Sequence, residues 1–574
     1  MTVRRALVLA GLGVAVWSAW CAWIVVRAHD DIQAGRELVR QVQHVGPAGL
    51  LEGEGRAELD AAGARFAAAD DRLGHPVLAP LRIVPVLGRQ LRSASAMAHS
   101  TDEVVAAGRA ALAELDPVLS GPLPAGAGRT AVLRQVAEVA AGLEATIGGV
   151  DLGPTGGLIG RLADAREELG GDLDDMRATL ERTRLVAGSL ADALDGPGRW
   201  LLLAANNAQM QNGSGMFLQW GTLEVTAGEI TVGQLEPAQE VVPAQPVELD
   251  ADQAALWPWM DPNGDVRHLG TSVRFDATAR TAAALYEASG RGPVDGVLAV
   301  DPFALQFLLT LSGDVQVDGV PVSPDGIVAD LLHDQYLALA DGVSNEAQAE
   351  RRDRLGAVAR AALEALGRSD RIDRSVIDSF GWVVRTRHLM AWSADEEVQA
   401  GFEAGGVAGA VPEDGLVLSL VNRGGNKLDW FVGLDARLEI AADGDEDVVE
   451  VRVEVRNPTA VEGEPTYVVG PYNNSGLAPG EYQGVLTLTV PGAATGVEVV
   501  GRDPLVEGPD GDHLVVGTAV RVPAGATEAV TFRFRLPADE ADLDVVASAR
   551  PVPTRWSAGD WSWEDTDSRR ITLP

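Results

Sequence analysis

The sequence predicts a multidomain α+β protein with one N-terminal transmembrane helix, a helical-bundle neck, a central α/β domain and a C-terminal antiparallel β-sandwich. Three observations predict it: an uncharged apolar run near the N-terminus, helical spacing of apolar residues after it, and period-two alternation toward the C-terminus. At 574 residues the chain is too long for one compact core. We expect a cytoplasmic tip at 1–5, the membrane span at 6–26, the neck at 27–195, the central domain at 196–430 and an immunoglobulin-like sandwich at 431–574.

The composition excludes some classes of function. Asp and Glu number 83 against 46 Lys and Arg, which gives a formal net charge of −37. This charge repels phosphate backbones, so we expect no nucleic-acid partner. The single cysteine, Cys21, excludes an intramolecular disulfide and a thiolate metal cluster.

The segment from Ala6 to Val26 contains 21 residues and no charged side chain. As a helix it spans about 30 Å, the thickness of a bilayer's hydrocarbon core. Arg4 and Arg5 precede it, so the positive-inside rule predicts a single-pass cell-membrane protein with a cytoplasmic N-terminus and its bulk extracytoplasmic. A cleaved signal peptide and a lipoprotein attached at Cys21 are the alternatives. The run exceeds the usual ~7–15-residue signal core, and Trp20 precedes Cys21 where lipid attachment requires a small residue.

The neck is rich in Ala, Leu, Glu and Arg, which favour helices. Glycine and proline clusters predict breaks at residues 46–49, 75–88, 121–128 and 148–160. We expect several antiparallel helices, acting either as a self-packed spacer or as a surface that binds a partner.

Two segments predict the central domain. Residues 201–205 form an apolar run that indicates a short buried strand ending at Asn206 and Asn207. Residues 294–317 read as strand, helix and strand, a βαβ-like pattern. Asp301 precedes Pro302 at the predicted helix start, where an aspartate commonly acts as the N-cap.

Several ordered blocks together resemble one known family. They are residues 201–208, 294–309, 387–393 and 422–429, with His75-Pro76 and Pro85-Val86-Leu87-Gly88 in the neck. These blocks resemble the bacterial membrane-anchored family called domain of unknown function 4012. The resemblance implies an extracytoplasmic envelope protein and assigns no reaction.

A weaker likeness concerns residues 294–317, which are similar to the strand–helix–strand of the LytR–CpsA–Psr cell-wall ligases. That likeness implies transfer of a glycopolymer from a lipid pyrophosphate carrier to the cell wall, with arginines and an aspartate-bound Mg²⁺ on the pyrophosphate. Many relatives have arginine where this chain has Gln211, and glutamine supplies no fixed positive charge.

The candidate ligand-binding residues of the central domain lie at predicted strand ends, where open sheets usually bind ligands. They are Asn206, Asn207, Gln211, Asp295 and Asp301. Strand-end capping is the alternative role of the two asparagines. Asp295 and Asp301 bracket one strand and lie about 20 Å apart, too far to share a metal ion. We therefore predict no metal site and no cofactor, with Mg²⁺ expected only if the chain is a ligase.

The loop 422–427 holds Asn422, Asn426 and Lys427, the sole lysine of the chain. It is either a ligand-binding loop or a domain-joining hairpin in which Lys427 pairs with a local acid. His388 lies in an apolar run and is expected in the core. The material for an anionic-ligand pocket is a set of arginines that are otherwise expected on the solvated surface: Arg267, Arg274, Arg280, Arg385 and Arg387.

Alternation at residues 449–455, 484–490 and 530–536 predicts the strands of the C-terminal sandwich. Such sandwiches usually mediate contact, so the favoured function is an envelope scaffold or binding module whose partners are the bilayer and either a cell-wall glycopolymer or envelope proteins. The alternative is a ligase of the LytR–CpsA–Psr type, a phosphotransferase acting on lipid-linked glycopolymer. No catalytic residue is assigned.

Overall fold

The computed structural model describes residues 2–51, 53–119, 124, 126–241, 243–317, 319–337, 354, 356–362, 365, 374–471, 476–538 and 542–573. The chain divides into two compact units. The helical unit comprises residues 1–123, 131–188 and 370–377, and the sheet unit comprises 124–130, 189–369 and 378–574. Helices thus dominate the N-terminal region and sheets the C-terminal region, which confirms the predicted α+β class.

Five long helices begin the chain: α1 (Thr2–Leu51), α2 (Arg56–Gly74), α3 (Pro85–Leu119), α4 (Ala127–Gly148) and α5 (Gly160–Asp195). The helix breaks predicted at 75–88 and 148–160 are present, and that at 121–128 coincides with the gap between α3 and α4. The break predicted at 46–49 is wrong, because α1 continues to Leu51. Before that position, Leu38 and Val39 of α1 pack on the cluster that contains Phe66 of α2.

The first part of α1 shares a small apolar core with the end of α2. Cys21, Ile24 and Ala28 of α1 pack against Leu73 of α2 and Leu78. Leu78 lies in a 3₁₀ segment, Pro76–Ile83, which connects α2 to α3. This core therefore holds the connecting segment against α1.

Among its described residues, the central region contains eight strands: β1 (Gly198–Met210), β2 (Gly215–Thr226), β3 (Glu229–Val232), β4 (Glu236–Pro237), β5 (Gly296–Val300), β6 (Val315–Val317), β7 (Val320–Val322) and β8 (Leu389–Ser393). The main sheet has the order β3-β2-β1-β5-β8, with β4 paired to β2. β1 is antiparallel to β2 and parallel to β5, and β5 is antiparallel to β8. The prediction that the first strand stops at Asn206 and Asn207 is wrong, because β2 pairs with β1 as far as Met210.

Helices of the sheet unit with defined bounds in the described residues include α6 (Ala251–Leu256), α7 (Phe275–Tyr286), α8 (Pro302–Ser312), α9 (Pro324–Ala329), α10 (Gln335–Leu337), α11 (Arg374–Arg385, whose first residues lie in the helical unit), α12 (Glu396–Ala404) and α13 (Thr466–Val469). α7 covers one face of the main sheet and α12 covers the other. The βαβ prediction is wrong: after α8, β6 pairs with β7 in a separate ribbon and β5 takes β8 as its second neighbour.

Twelve strands form the sandwich: β9 (Gly415–Asn422), β10 (Gly433–Asp443), β11 (Glu446–Arg456), β12 (Tyr482–Pro491), β13 (Thr495–Val499), β14 (Val506–Asp510), β15 (His513–Val522), β16 (Thr527–Pro537), β17 (Asp542–Val546), β18 (Arg555–Ala558), β19 (Trp561–Glu564) and β20 (Arg569–Thr572). The two sheets have the orders β14-β15-β12-β9-β17-β20 and β13-β16-β11-β10-β18-β19. β9 lies in the first and β10 in the second. The loop 422–427 therefore crosses between sheets, and the hairpin interpretation is wrong.

The sheet that contains β9 is buried on both faces. Leu416, Leu418 and Leu420 point into the sandwich core, whereas Val417 and Val421 pack against residues of the central region. Both faces of β9 therefore need apolar residues, which explains why its sequence shows no polar alternation. β9 therefore belongs to the sandwich, although it precedes residue 431, where the sequence places the start of that domain.

Candidate functional site

Polar side chains line the second half of β1 and the turn that follows. We call residues 206–212 the β1 seam, because this segment lies against the outer face of the β9 sheet. Asn212 joins the two: its carbonyl oxygen accepts a hydrogen bond from Ser419 Oγ at 2.7 Å, and its Oδ1 accepts one from Thr487 Oγ1 at 2.7 Å. Packing of the central region on the sandwich therefore buries the amides predicted to bind a ligand.

The seam brings Asn207 and Asp301 together. Asn207 Nδ2 donates to Asp301 Oδ2 at 2.6 Å and to the carbonyl of Ala549 at 2.7 Å. The other carboxylate oxygen of Asp301 accepts from the backbone N–H groups of Phe303 and Ala304 at 2.9 and 3.1 Å. Asp301 is therefore the N-cap of α8, as the sequence predicts.

His388 completes this cluster. Its Nδ1 lies 2.5 Å from Asp301 Oδ2, and both side chains are 4% exposed. The imidazole stacks on Phe303, with ring centroids 4.3 Å apart, and lies 5.1 Å from the Trp382 ring. His388 is thus a core residue, as expected, and its recorded polar contact is with a capping carboxylate.

A second cluster surrounds Asp429. Its Oδ2 accepts from Met210 N at 3.0 Å and from Asn422 Nδ2 at 2.7 Å, while Oδ1 accepts from Tyr482 Oη at 3.0 Å. Arg550 Nη1 lies 3.4 Å from Oδ1 with both side chains fully buried. Burial raises the pKa of Asp429, and the positive charge of Arg550 and the hydrogen-bond donors oppose that rise. Burial and then the neighbouring carboxylate raise the pKa of Tyr482 well above its usual value.

The loop 422–427, which crosses between the two sheets of the sandwich, packs against the carboxylate of Asp429 through Asn422. Asn422 Nδ2 also lies 3.2 Å from Asn426 Oδ1, and Asn422 Oδ1 accepts from the backbone N–H of Gly424 at 3.0 Å. Asn426 Nδ2 reaches the carbonyl of Glu481 at 3.4 Å. These bonds fix the loop internally, so Asn422 and Asn426 serve its conformation.

Lys427 is 2% exposed. Its Nζ donates to Gln209 Oε1 of the seam at 2.6 Å. The ammonium also lies 5.5 Å from the ring centroid of Tyr336 and 5.8 Å from that of Tyr467, within cation–π distance. An amide and two aromatic rings therefore contact the ammonium of Lys427.

The other three predicted residues differ from one another in position and in hydrogen bonding. Asp295 Oδ2 accepts from the backbone N–H of Arg199 at 2.7 Å, at the opposite end of β1 from the seam. Asn206 Nδ2 donates to Tyr336 Oη at 3.2 Å. Gln211 is fully buried against Gly270, and within the described residues neither its Nε2 nor its Oε1 has a hydrogen-bond partner. The structure therefore does not unite the eight predicted residues in one place.

The arginines proposed for an anionic pocket have separate partners. Arg387 is buried, which corrects its expected place on the surface, and it donates to the carbonyls of Gly409 and Val273. Burial lowers its pKa to about 10. The other four pair with carboxylates: Arg267 with Asp265, Arg274 with Asp510 and Asp250, Arg280 with Asp276, and Arg385 with Asp567.

Sequence reasoning missed the groups that balance Asp429. Tyr482 and Arg550 follow it by 53 and 121 residues, and no local pattern connects such distant positions. Asp429 itself carried a signal, because a carboxylate between Leu428 and Trp430 is flanked by apolar residues. Within the described parts of the chain, no group of three or more His, Cys, Asp or Glu side chains could hold a metal ion.

Comparison with known proteins supports the resemblance found in the sequence and leaves the ligase likeness unsupported. A search of curated proteins and a search of solved structures each found no significant match. The family described as "Protein of unknown function (DUF4012)" matches residues 195–336, which include β1, the β1 seam and Asp301. The similarity to the DUF4012 family is therefore shown for residues 195–336.

Proposed function

We propose that this protein is a membrane-anchored, extracytoplasmic scaffold or binding module of the cell envelope. The observation that carries the proposal is the apolar surface of α1. Within the described residues, Leu12–Val45 is the stretch long and apolar enough to cross a membrane by length and composition. Val14 and Val16 are 61% and 66% exposed, and Trp23 is 57% exposed. A bilayer would cover these side chains, and Arg4 and Arg5 would keep the N-terminus cytoplasmic.

The arrangement of the β1 seam supports a binding or scaffolding role over catalysis. Asp301 accepts hydrogen bonds from the first N–H groups of α8 and so caps that helix. Asp429 accepts one from the backbone N–H of Met210 and so joins β1 to the sandwich. Asn212, Ser419 and Thr487 add further bonds across the same junction. These contacts stiffen the sheet unit, which suits a protein that presents a fixed surface to a glycopolymer or to envelope proteins.

The anchor is tested by changing the charge of α1. We expect the Val14→Asp, Val16→Asp variant to be released from membrane vesicles by alkaline carbonate, because each buried charge in the hydrocarbon is costly. The matched control, Ala106→Asp with Ala110→Asp, adds the same charge at exposed positions of α3, outside Leu12–Val45, and should stay membrane-bound. Release of the wild-type chain by carbonate would overturn the anchor.

Orientation has its own measurement. Alkaline phosphatase fused after residue 573 should be active, because the enzyme requires an oxidising extracytoplasmic compartment, and a fluorescent protein fused to the N-terminus should fluoresce in the cytoplasm. The opposite pattern would contradict an extracytoplasmic location.

The ligase alternative predicts a bound polyprenyl pyrophosphate, with Mg²⁺ on the pyrophosphate. Mass spectrometry of lipids extracted from the detergent-purified full chain tests it directly. We expect ordinary phospholipids, since the five arginines considered for an anionic-ligand pocket are held by carboxylates or backbone carbonyls. Stoichiometric polyprenyl pyrophosphate would overturn the non-enzymatic proposal.

A further inference from the structure

Five successive apolar residues, Ile83–Leu87, stand exposed where the 3₁₀ segment meets α3; we call them the apolar tip. Ile83 is 84% exposed, Val86 65% and Leu87 53%. A contiguous exposed apolar patch commonly marks a surface that is covered in the working protein.

The protein holds the tip in place. Leu78, five residues earlier, is completely buried in the core shared by α1 and α2. Arg82 Nη2 donates to the carbonyl of Leu73 at 2.9 Å, and Arg92 Nη1 donates to the carbonyl of Arg82 at 2.9 Å. The bonds on both sides of the tip therefore hold it with its side chains exposed.

The tip's segment lies against the membrane-spanning part of α1. Trp17 Nε1 donates to the carbonyl of Val77 at 3.1 Å, and the rings of Trp20 and His75 are 5.9 Å apart. Trp17 and Trp20 fall within the span predicted from the sequence, in the half where aromatic rings favour the lipid headgroup boundary. A bilayer that surrounds α1 at this level also reaches the segment that carries the tip.

Charge around the tip also matches a membrane. The thirty residues 72–101 contain four arginines and no aspartate or glutamate, although the whole chain carries a net charge of −37. Arg82, Arg89 and Arg92 flank the five apolar residues, and Arg89 is exposed. Basic residues beside an apolar insertion are attracted to anionic headgroups.

We propose that the apolar tip inserts into the outer leaflet of the bilayer that α1 crosses, with the flanking arginines on anionic headgroups. The helical unit then contacts the membrane at two places, the spanning helix and the tip. This inference rests on the membrane anchoring proposed above.

The experiment places an environment-sensitive nitrobenzoxadiazole probe on single cysteines in the full-length Cys21→Ser chain. The chain is reconstituted in nanodiscs of phosphatidylcholine and phosphatidylglycerol, with or without brominated acyl chains. The probe positions are Val86→Cys in the tip, Val16→Cys in the span and Asp60→Cys on exposed α2 as the water control.

We expect the Val86 probe to emit at shorter wavelength than the Asp60 probe and to be quenched by brominated lipid, as the Val16 probe is. Quenching at Val16 without quenching at Val86 would overturn the tip insertion while the anchor stands. Loss of quenching at both positions would overturn both proposals. A Val86→Cys chain that instead forms disulfide-linked dimers, unquenched by lipid, would show that a second copy covers the tip and would overturn insertion.

A second variant removes most of the apolar character of the tip, with the probe moved to the first residue of the tip. With the probe at Ile83→Cys, we expect Val86→Asp with Leu87→Asp to abolish quenching, since the exposed tip side chains contribute little to the folded core. Circular dichroism should show unchanged helicity. Undiminished quenching at Ile83 in this variant would contradict an insertion driven by the tip's apolar residues.

Discussion

Asp301 and Asp429 are two buried carboxylates that both accept hydrogen bonds from β1, yet different groups stabilise their charges. Asp301 accepts from two helix N-terminal amides and from the neutral amide of Asn207, and His388 lies on the same oxygen. Asp429 has a guanidinium, Arg550, together with neutral donors. A capping carboxylate is stabilised by helix amides already in place, whereas a carboxylate with a buried counter-ion depends on a partner 121 residues away.

The largest expected effect comes from removing that counter-ion. Arg550→Met should lower the free energy of unfolding by about 3–5 kcal/mol at pH 7, because it leaves Asp429 buried without a charge partner. Urea unfolding of the detergent-solubilised full chain, followed by tryptophan emission, measures this. The loss should shrink at pH 5, since losing Arg550 raises the pKa of Asp429 further and lets it protonate. Exposed Arg437→Met is the control and should change little; equal effects of the two variants would refute the counter-ion role.

A third buried carboxylate, Asp565, has no counter-ion among the hydrogen-bond donors that the structure describes for it, and its ionisation makes the stability of the protein depend on pH. Burial raises its pKa to about 6, and its hydrogen bonds come from neutral groups, Thr554 N and Ser548 Oγ. The folded pKa lies above the unfolded value of about 3.9. Its stabilising contribution is therefore full below about pH 4 and is lost as the pH rises through 6, a change of up to about 3 kcal/mol.

The neutral variant Asp565→Asn should remove that pH dependence. We expect its thermal midpoint to exceed that of wild type at pH 7.5 and to match or fall below it at pH 4.5. Differential scanning calorimetry of both proteins at both pH values measures whether the order of their thermal midpoints reverses. A difference between variant and wild type that stays constant with pH would show that Asp565 titrates normally.

Asn207 tests the Asp301 side of the comparison. Asn207→Ala should cost about 1–3 kcal/mol, because Asp301 and the carbonyl of Ala549 each lose a donor in a buried place. Asn206→Ala is the matched control and should cost less, since Asn206 is only half-buried. An unchanged urea midpoint for Asn207→Ala would favour the ligand-binding role over the structural one.

The smallest effect is expected at Lys427. Lys427→Met keeps an unbranched side chain of similar length and removes the ammonium, so it loses the bond to Gln209 and the contacts with two tyrosine rings. We expect a loss of about 1–2 kcal/mol in the same urea assay. Lys427→Arg should recover part of it. A fully stable Lys427→Met chain would return the residue to the list of ligand contacts.

Local patterns predicted most elements of the fold, and non-local pairing explains the failures. Helix composition and the turn signal at 148–160 were sufficient for the helical unit, and Asp301 before Pro302 was sufficient for a cap. The length of β1 depends on β2, and the place of β6 depends on β7, so neither could be read from its own residues. The domain boundaries remain predictions.

In the candidate site, too, local sequence patterns predict some contacts, whereas others depend on residues far away in the sequence. Asn207 with Asp301 could be suggested from strand ends, because both lie at the same edge of one sheet. Arg387 could not be placed, since its burial follows from the carbonyls of Gly409 and Val273 that surround it. Whether Gln211, with unmatched polar atoms in the described structure, binds anything stays a prediction.

The order of strands in the sandwich has a consequence for how the chain is made. β17 pairs parallel with β9 and β18 pairs parallel with β10, so residues after 541 cover one side of β9 and one side of β10. A polypeptide truncated before them would present unpaired backbone groups on both strands, the form of sheet edge that recruits other chains. The sandwich can therefore close only after the residues beyond 541 have been synthesised, and a chain that ends before them would expose unpaired sheet edges that favour aggregation.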